Sequence, residues 1–381
     1  MKQEQEQKSI VSLTSARKVA TNFRKLHSTA ARKSTNATGK GLSNKEIDEV
    51  LVVPDKQGDP ALYIVKFVPT GFVIISASRK ESPILGFSEN TVYDNKDSLS
   101  GLSSWINRRR DRIQALKHNT DMEVPEDVEQ AWDEVTDIKY MSAPPIDEEE
   151  VVPGPAVQEQ VGPLLQTAWG QGYPYNQYVP VKISYFENAL TGCVATATAQ
   201  VMRYWSYPNT YNWNIMPSMT RPIEASEPGT QEISRLMVDI GQHVNMVYGP
   251  DGSSAATVKA KDALVNFYGY SGTASYVDYS INTVVAQLKA RQPVIMDGVD
   301  YGAQPIVGHA WVCDGYQRTK YVYIHNPDTR YEYETYRFSN YYLHMNWGWD
   351  GISDGWFLYN DFTPGSSDYS QSNKCIVNIH P

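Results

Sequence analysis

Apolar and small side chains recur at helical spacing after Val194: Ala197, Thr198, Val201, Met202 and Trp205 fall on one side of a helix that starts near Cys193. Gly192, directly ahead of it, gives the backbone freedom to turn sharply into that helix. The same period over 11–26 places Ala16, Val19, Ala20, Phe23 and Leu26 on one face and predicts a helix there. Shorter helical patterns cover Ser103–Leu116, Val258–Phe267 and Ile281–Ala290. β-Rich runs at Ala61–Val68 and Gly71–Ser76 predict a hairpin through Pro69-Thr70-Gly71, with a third strand at Pro83–Phe87. Further on, strands are predicted at Pro293–Val299, Val307–Gly315, Tyr321–Ile324, Tyr341–Met345 and Trp356–Tyr359.

Two stretches break these patterns. Residues 28–45 are polar and read as mobile. Between 140 and 160, Ala143-Pro144-Pro145-Ile146-Asp147-Glu148-Glu149-Glu150 precedes Val151-Val152-Pro153-Gly154-Pro155, and proline with like charge opposes packing. Residues 143–157 are therefore expected to form an exposed linker, open to proteolysis, between a unit spanning 1–142 and one spanning 158–381. A chain of 381 residues with 41% hydrophobic side chains has room for two cores. Its net charge of −9 disfavours nucleic acid or an anionic membrane as the main partner. No apolar run approaches the length of about 18 residues that could span a bilayer, and the amino terminus lacks the apolar stretch of a signal peptide.

The candidate chemistry begins with the three cysteines, at 193, 313 and 375, which cannot all pair and show no zinc-site spacing. Cys193 at a helix start faces unpaired N–H groups and the positive end of the helix, which is expected to lower its pKa and favour the nucleophilic thiolate. His309 lies on a predicted strand and shares a face with Trp311 and Cys313. Asn346-Trp347 closes another strand, where the carboxamide could accept a hydrogen bond from an imidazole N–H while the indole excludes water. Gln171 lies in the glycine- and proline-rich loop Trp169-Gly170-Gln171-Gly172-Tyr173-Pro174-Tyr175-Asn176, from which its amide could donate to an oxyanion. Cys313, four residues past His309, reads as a core residue of its strand.

Taken together, Gln171-Gly172-Tyr173-Pro174-Tyr175-Asn176, Thr191-Gly192-Cys193 with Val194-Ala195-Thr196-Ala197-Thr198-Ala199-Gln200-Val201-Met202, Gly308-His309-Ala310 and Asn346-Trp347-Gly348-Trp349 resemble the motifs of the streptopain (streptococcal pyrogenic exotoxin B) and interpain family of bacterial cysteine peptidases. Gly71-Phe72-Val73-Ile74-Ile75-Ser76 and Pro83-Ile84-Leu85-Gly86-Phe87 are similar to the inhibitory propeptide of that family. The resemblance implies an α+β fold, in which a papain-like catalytic domain with helical and antiparallel β parts follows a small α+β propeptide. It further implies a zymogen with Cys193 as nucleophile, His309 as general base and acid, Gln171 in the oxyanion hole, and Asn346 with Trp347 behind the histidine. Ser254 and Gly308 fall near positions that line the substrate cleft. The chain departs from streptopain in a shorter stretch after Tyr207-Pro208, a longer one between Asp314 and Asn346, and Thr363–Tyr369 in place of a long glycine-rich loop. Cys313 and Cys375 are also additional relative to streptopain.

The expected reaction is endopeptidase hydrolysis through a Cys193–His309 ion pair and an acyl-enzyme, with no metal or cofactor. Protein or peptide substrates are the implied partners, and the chain's own propeptide is an intramolecular inhibitor. The family's export implies a secreted, cell-surface or periplasmic location. Two other readings use the same residues: a transglutaminase-like acyltransferase, disfavoured by the resemblance, and a catalytically silent binding protein, disfavoured by the intact Cys193, His309, Asn346 and Gln171.

Overall fold

The computed structural model describes residues 10–31, 45–89, 93, 101–119, 122, 124–136, 151–153, 157–184, 187–250, 252–303, 306–326, 332–363 and 368–381. The chain opens with helix α1 (Leu13–Ala31), which buries Ala16, Val19, Ala20 and Phe23 as the period requires and runs a turn beyond the expected end. An antiparallel meander follows: β1 (Glu46–Pro54), β2 (Pro60–Val68), β3 (Phe72–Ser76) and β4 (Ile84–Ser88). The predicted hairpin between β2 and β3 is present in register, with Lys66 opposite Phe72. β1 was not legible in the sequence. Its acidic residues alternate irregularly with aliphatic ones, and a register shift at Ile47/Glu49 interrupts the period of two. Helices α2 (Gly101–His118) and α3 (Glu126–Thr136) complete this region.

In the second region α4 (Cys193–Trp205), α5 (Pro228–His243) and α6 (Val258–Asn266) pack on one side of a sheet built on β8 (Val294–Asp300) and β9 (Val307–His325), with α7 (Ile281–Lys289) on the other. β9 is one strand of 19 residues where the sequence predicted two, because it carries several neighbours in succession. Its first half pairs β8 and then β11 (Tyr342–Asn346); its second half pairs β6 (Val157–Val161), β5 (Val151–Pro153) and β10 (Tyr333–Phe338). Residues 151–153, expected within an exposed linker, are thus a strand of the sheet: Val152 and its neighbours satisfy their backbone groups on β9. Residues 143–150 and 154–156 lie outside the described residues, as do 32–44 of the polar stretch. The remaining strands are β7 (Ser275–Asp278), β12 (Gly355–Leu358) and β13 (Gln371–Val377).

One sheet runs through both regions in the order β1-β2-β3-β4-β12-β11-β9-β8-β13-β7, because β4 pairs with β12 through Phe87 opposite Trp356 and Gly86 opposite Phe357. Phe87 stacks on Trp356 with ring centroids 6.1 Å apart. The apolar core beneath this seam is also shared: Leu62, Ile64, Phe72, Ile106 and Ile113 from before the seam pack with Trp311, Leu343, Met345, Phe357 and Phe362 from beyond it. The architecture combines helices with an antiparallel sheet, as the sequence led us to expect.

Helix α3 meets the second region at Glu134, which is buried beside Tyr321, its hydrogen-bond partner, and near Arg337 and Asp133. Burial drives its carboxyl up to about 7, against the weaker pull of the bonds from Gln130 and Tyr321. A carboxyl raised in the folded state stabilises fully below its unfolded value near 4.5, and loses that contribution as pH rises through 7. Glu134→Gln should therefore gain thermal stability over the parent as pH increases from 5 to 8, by up to about 3 kcal/mol. A gap that stays constant with pH, measured by thermal unfolding of the full chain, would show that Glu134 is not desolvated at this contact.

Candidate active site

Helix α4 is buried all round from Val194 to Met202, so its start is held rigidly while its first residue remains partly exposed. Gly192 supplies the entry, at φ 90°; a Cβ there would lie 2.6 Å from the Met246 side chain. The Gln171 loop is tied to this start by the Thr191 N–H, which donates to the Gln171 carbonyl at 3.0 Å. Asn176 anchors the same loop by donating to the Asn188 and Ala189 carbonyls at 3.0 and 3.1 Å. Gln171, half-buried, is thereby tied through its main chain to the segment that leads into Cys193.

β9 brings His309 to the same place, for the backbone N–H of Ala310 faces the Cys193 sulfur together with the N–H groups of Cys193 and Val194. His309 is buried among Trp349, Tyr369, Trp311 and Trp347, with ring centroids 4.9, 5.3, 6.1 and 6.3 Å away. Its Nε2 lies 3.0 Å from the Trp347 carbonyl oxygen. A carbonyl only accepts, so Nε2 carries the proton and Nδ1 is the basic nitrogen of the neutral ring. The sequence expected the Asn346 carboxamide to hold the imidazole; in the structure that bond goes to the Trp347 main chain instead. Asn346 is engaged elsewhere: it donates to the Thr167 carbonyl at 2.7 Å and accepts from Gln200 at 2.8 Å and from the Gly348 N–H at 3.2 Å. Trp347 is fully buried, and its backbone N–H donates to Asp354 at 2.9 Å.

The electrostatics differ from expectation. Burial raises the Cys193 thiol above its ordinary value and outweighs the N–H groups of Ala310, Val194 and Cys193 that favour the thiolate; the Asp297 carboxylate raises it further. The helix start acts in the expected direction and is the lesser effect. Burial in the aromatic cage likewise lowers His309 to about 4, despite its bond to Trp347. Burial thus opposes the charged form of both groups. Cys313 and Cys375 are buried core residues, and all three cysteines are free.

Of the residues placed near the cleft, Gly308 is exposed at the start of β9 beside His309, and Ser254 is exposed in a loop closed by backbone bonds to Val247. That loop reaches the site through Ser253, whose hydroxyl donates to the Leu190 carbonyl at 2.6 Å.

Gln200 escaped the sequence reading. It is fully buried, accepts from the Trp169 N–H at 3.1 Å and donates to Asn346, so one side chain joins the helix, the Gln171 loop and the Asn346-Trp347 turn. Its signal was available: it falls seven residues, two helical turns, after Cys193 on a helix with no polar face. Gln200→Leu removes both bonds and strands the buried Trp169 N–H, at about 1–3 kcal/mol, while Asn346 keeps its bonds to Thr167 and Gly348 but loses its tie to the helix. The expected loss on urea unfolding is thus a few kcal/mol, and a change below about 0.5 kcal/mol would show that the clamp is not needed.

Residues 169–210 and 209–357 match the Peptidase C10 family, and residues 8–113 match the Spi protease inhibitor family. Streptopain of Streptococcus pyogenes is 28% identical over 376 residues, covering 84% of this chain and 81% of streptopain. The thiol protease/hemagglutinin PrtT of Porphyromonas gingivalis is 26% identical over 359 residues, covering 82% of this chain and 36% of PrtT. Among solved structures, a fragment of Prevotella intermedia prointerpain A superposes with a TM-score of 0.56 at 22% identity, covering 87% of this chain and 99% of the fragment. The chain belongs to the Peptidase C10 family and is a cysteine-type endopeptidase whose peptidase region follows an inhibitor region of the Spi type.

Proposed function

We propose that the chain is an exported zymogen that hydrolyses proteins once the region before about residue 157 is cut away, with the cut falling within 143–157. The observation that carries the assignment of the site is the Ala310 N–H turned on the Cys193 sulfur, because it sets the chain neighbour of His309 against the start of α4. In this reading Cys193 attacks the peptide carbonyl carbon as its proton passes to Nδ1 of His309, forming the tetrahedral adduct. The Cys193 N–H and the Gln171 amide stabilise the oxyanion; His309 then protonates the leaving amine. Water, deprotonated by the same imidazole, releases the acyl group and restores the thiol. The Trp347 carbonyl orients the ring, Asn346 shapes the turn that presents it, and Ser254 and Gly308 border the bound peptide. The aromatic cage that disfavours the imidazolium belongs to the peptidase region, so in this reading removal of the inhibitor region opens the cleft to substrate, and the thiolate–imidazolium pair forms as thiol and imidazole approach each other.

Cys193→Ala should leave the purified chain at full length through incubations that process the parent, as read by intact mass. Self-trimming by that variant would exclude Cys193 as the nucleophile. Gln171→Ala should lower turnover of casein by about 10²- to 10³-fold with its melting temperature kept. Near-normal turnover would remove Gln171 from the oxyanion hole. For the electrostatic change, iodoacetamide should label Cys193 of the full chain only above the ordinary thiol range of about 8.5, and label the processed enzyme well below it. Identical pH profiles before and after processing would show that the inhibitor region does not control the thiol.

A further inference from the structure

Asp297, which takes no part in the reaction, places a charge beside the nucleophile. It stands on β8 opposite Ala310 of β9, whose backbone N–H faces the Cys193 sulfur. Ile295, two residues earlier on the same strand, packs in the core beneath α4, so the Asp297 side chain lies on the sheet face turned to that helix. Asp297 is half-buried, and its charge is felt at Cys193. The Tyr276 hydroxyl donates to its Oδ2 at 2.6 Å, the Lys374 backbone N–H to its Oδ1 at 3.2 Å, and the Thr257 hydroxyl donates as well. A carboxylate offers about four acceptor positions, so these neutral donors leave one open and supply no counter-charge. The Lys374 ammonium acts on Asp297 but pairs with Asp278, and among the described residues no lysine, arginine or histidine forms an ion pair with Asp297.

The surroundings suit a long side chain. Met246, Ala255 and Tyr276 are half-buried against the same core as Cys193, and the Met246 side chain abuts Gly192 at the entry to α4. Thr257 lies three residues past Ser254, and Ala310 lies two past Gly308. Asp297 therefore sits between the two banks assigned to the bound peptide.

We propose that Asp297 selects substrates carrying a lysine or arginine on the acyl side of the cut. The alkyl stem of such a side chain covers Met246, Ala255 and the Tyr276 ring, while its charged end takes the open position on the carboxylate. A half-buried carboxylate without an ionic partner gains from an entering cation, a neutral stem of equal length gains only the apolar contact, and an acidic side chain is repelled. A bound cation also offsets the field of Asp297 at Cys193, which opposes the thiolate, so the gain falls on attack as well as on binding. Every group named belongs to the peptidase region and stays when the inhibitor region leaves. The proposal rests on the reading in which Ser254 and Gly308 border the peptide.

The test uses the processed parent enzyme and fluorogenic peptides with lysine, arginine, norleucine or glutamate at the first or the second residue before the cut. At one of these positions lysine and arginine should exceed norleucine in kcat/KM by about tenfold or more, the scale of one hydrogen bond between charged groups, with glutamate slowest. Asp297→Asn keeps the shape and the Tyr276 bond; it should bring lysine and norleucine within about threefold of each other while norleucine turnover holds. Asp297→Gln, checked by its melting temperature, guards against misfolding of the first variant and should give the same levelling. Norleucine equal to or better than lysine at both positions in the parent, or a cationic preference that survives both variants, overturns the role of Asp297 alone. Peptide turnover by the Cys193→Ala chain would overturn the cleft at Cys193 and this proposal with it.

Discussion

A helix buried on every side, with the partly exposed Cys193 as its first residue, is the constraint on which this structure depends. Nine consecutive residues from Val194 to Met202 are removed from solvent, so the polar ones among them must be paired inside the protein. Thr198 returns its hydroxyl to the Val194 carbonyl, Thr196 meets Thr191, and Gln200 spans to Trp169 and Asn346. The last of these matters most, because the loop that brings Gln171 and the turn that brings the Trp347 carbonyl have no regular structure of their own to place them. A polar clamp at the centre of the helix locates both relative to Cys193, and Gly192 lets the chain enter without displacing Met246.

The seam between the two regions obeys the same rule. A sheet edge at β12 would present unpaired backbone groups, and β4 covers it. Buried charges near that seam have opposite numbers close by: Arg109 has Asp361 and Glu81, and His344 sits 2.6 Å from Asp314, with Glu89 and Asp354 acting on it. Glu134 and Asp354 differ in kind, since burial drives both carboxyls up to about 7. Such an interface is specific because each polar group is satisfied only in one alignment, while the shared apolar core supplies most of the cohesion.

Much of this was legible in advance. The helical period after Cys193, the β2–β3 hairpin and the strand bearing His309 all stand where residue patterns put them, because each buries one continuous apolar set. The misses have physical causes. Helix α5 begins Pro228-Gly229-Thr230, a start that reads as a turn, and its buried face includes Gly229, Thr230 and Ser234 beside Ile233, Leu236, Met237 and Ile240. Gly229 is needed there since a Cβ would lie 2.0 Å from the Ile215 carbonyl. β5 came from a segment whose prolines and charges argue locally against structure; β9 offered it a partner, and tertiary pairing overrode composition. At the site, no sequence rule distinguishes a side-chain carboxamide from a main-chain carbonyl as the imidazole's acceptor.

The electrostatic state of the site follows from burial rather than from the helix. An N-terminal helix field contributes roughly 0.3–1 kcal/mol to a nearby anion, whereas transferring an ionised group into a low-dielectric interior costs several kcal/mol. The same aromatic rings that shield the His309–Trp347 bond from water also withhold the solvation an imidazolium needs, which is why one cage both orients the base and neutralises it. A thiol and an imidazole held apart in charge can become an ion pair when either gains solvent or when the two approach, since each charge then stabilises the other. The residues that set this balance, Trp311, Trp347, Trp349 and Tyr369, all lie in the peptidase region, so the balance is a property of that region's own packing.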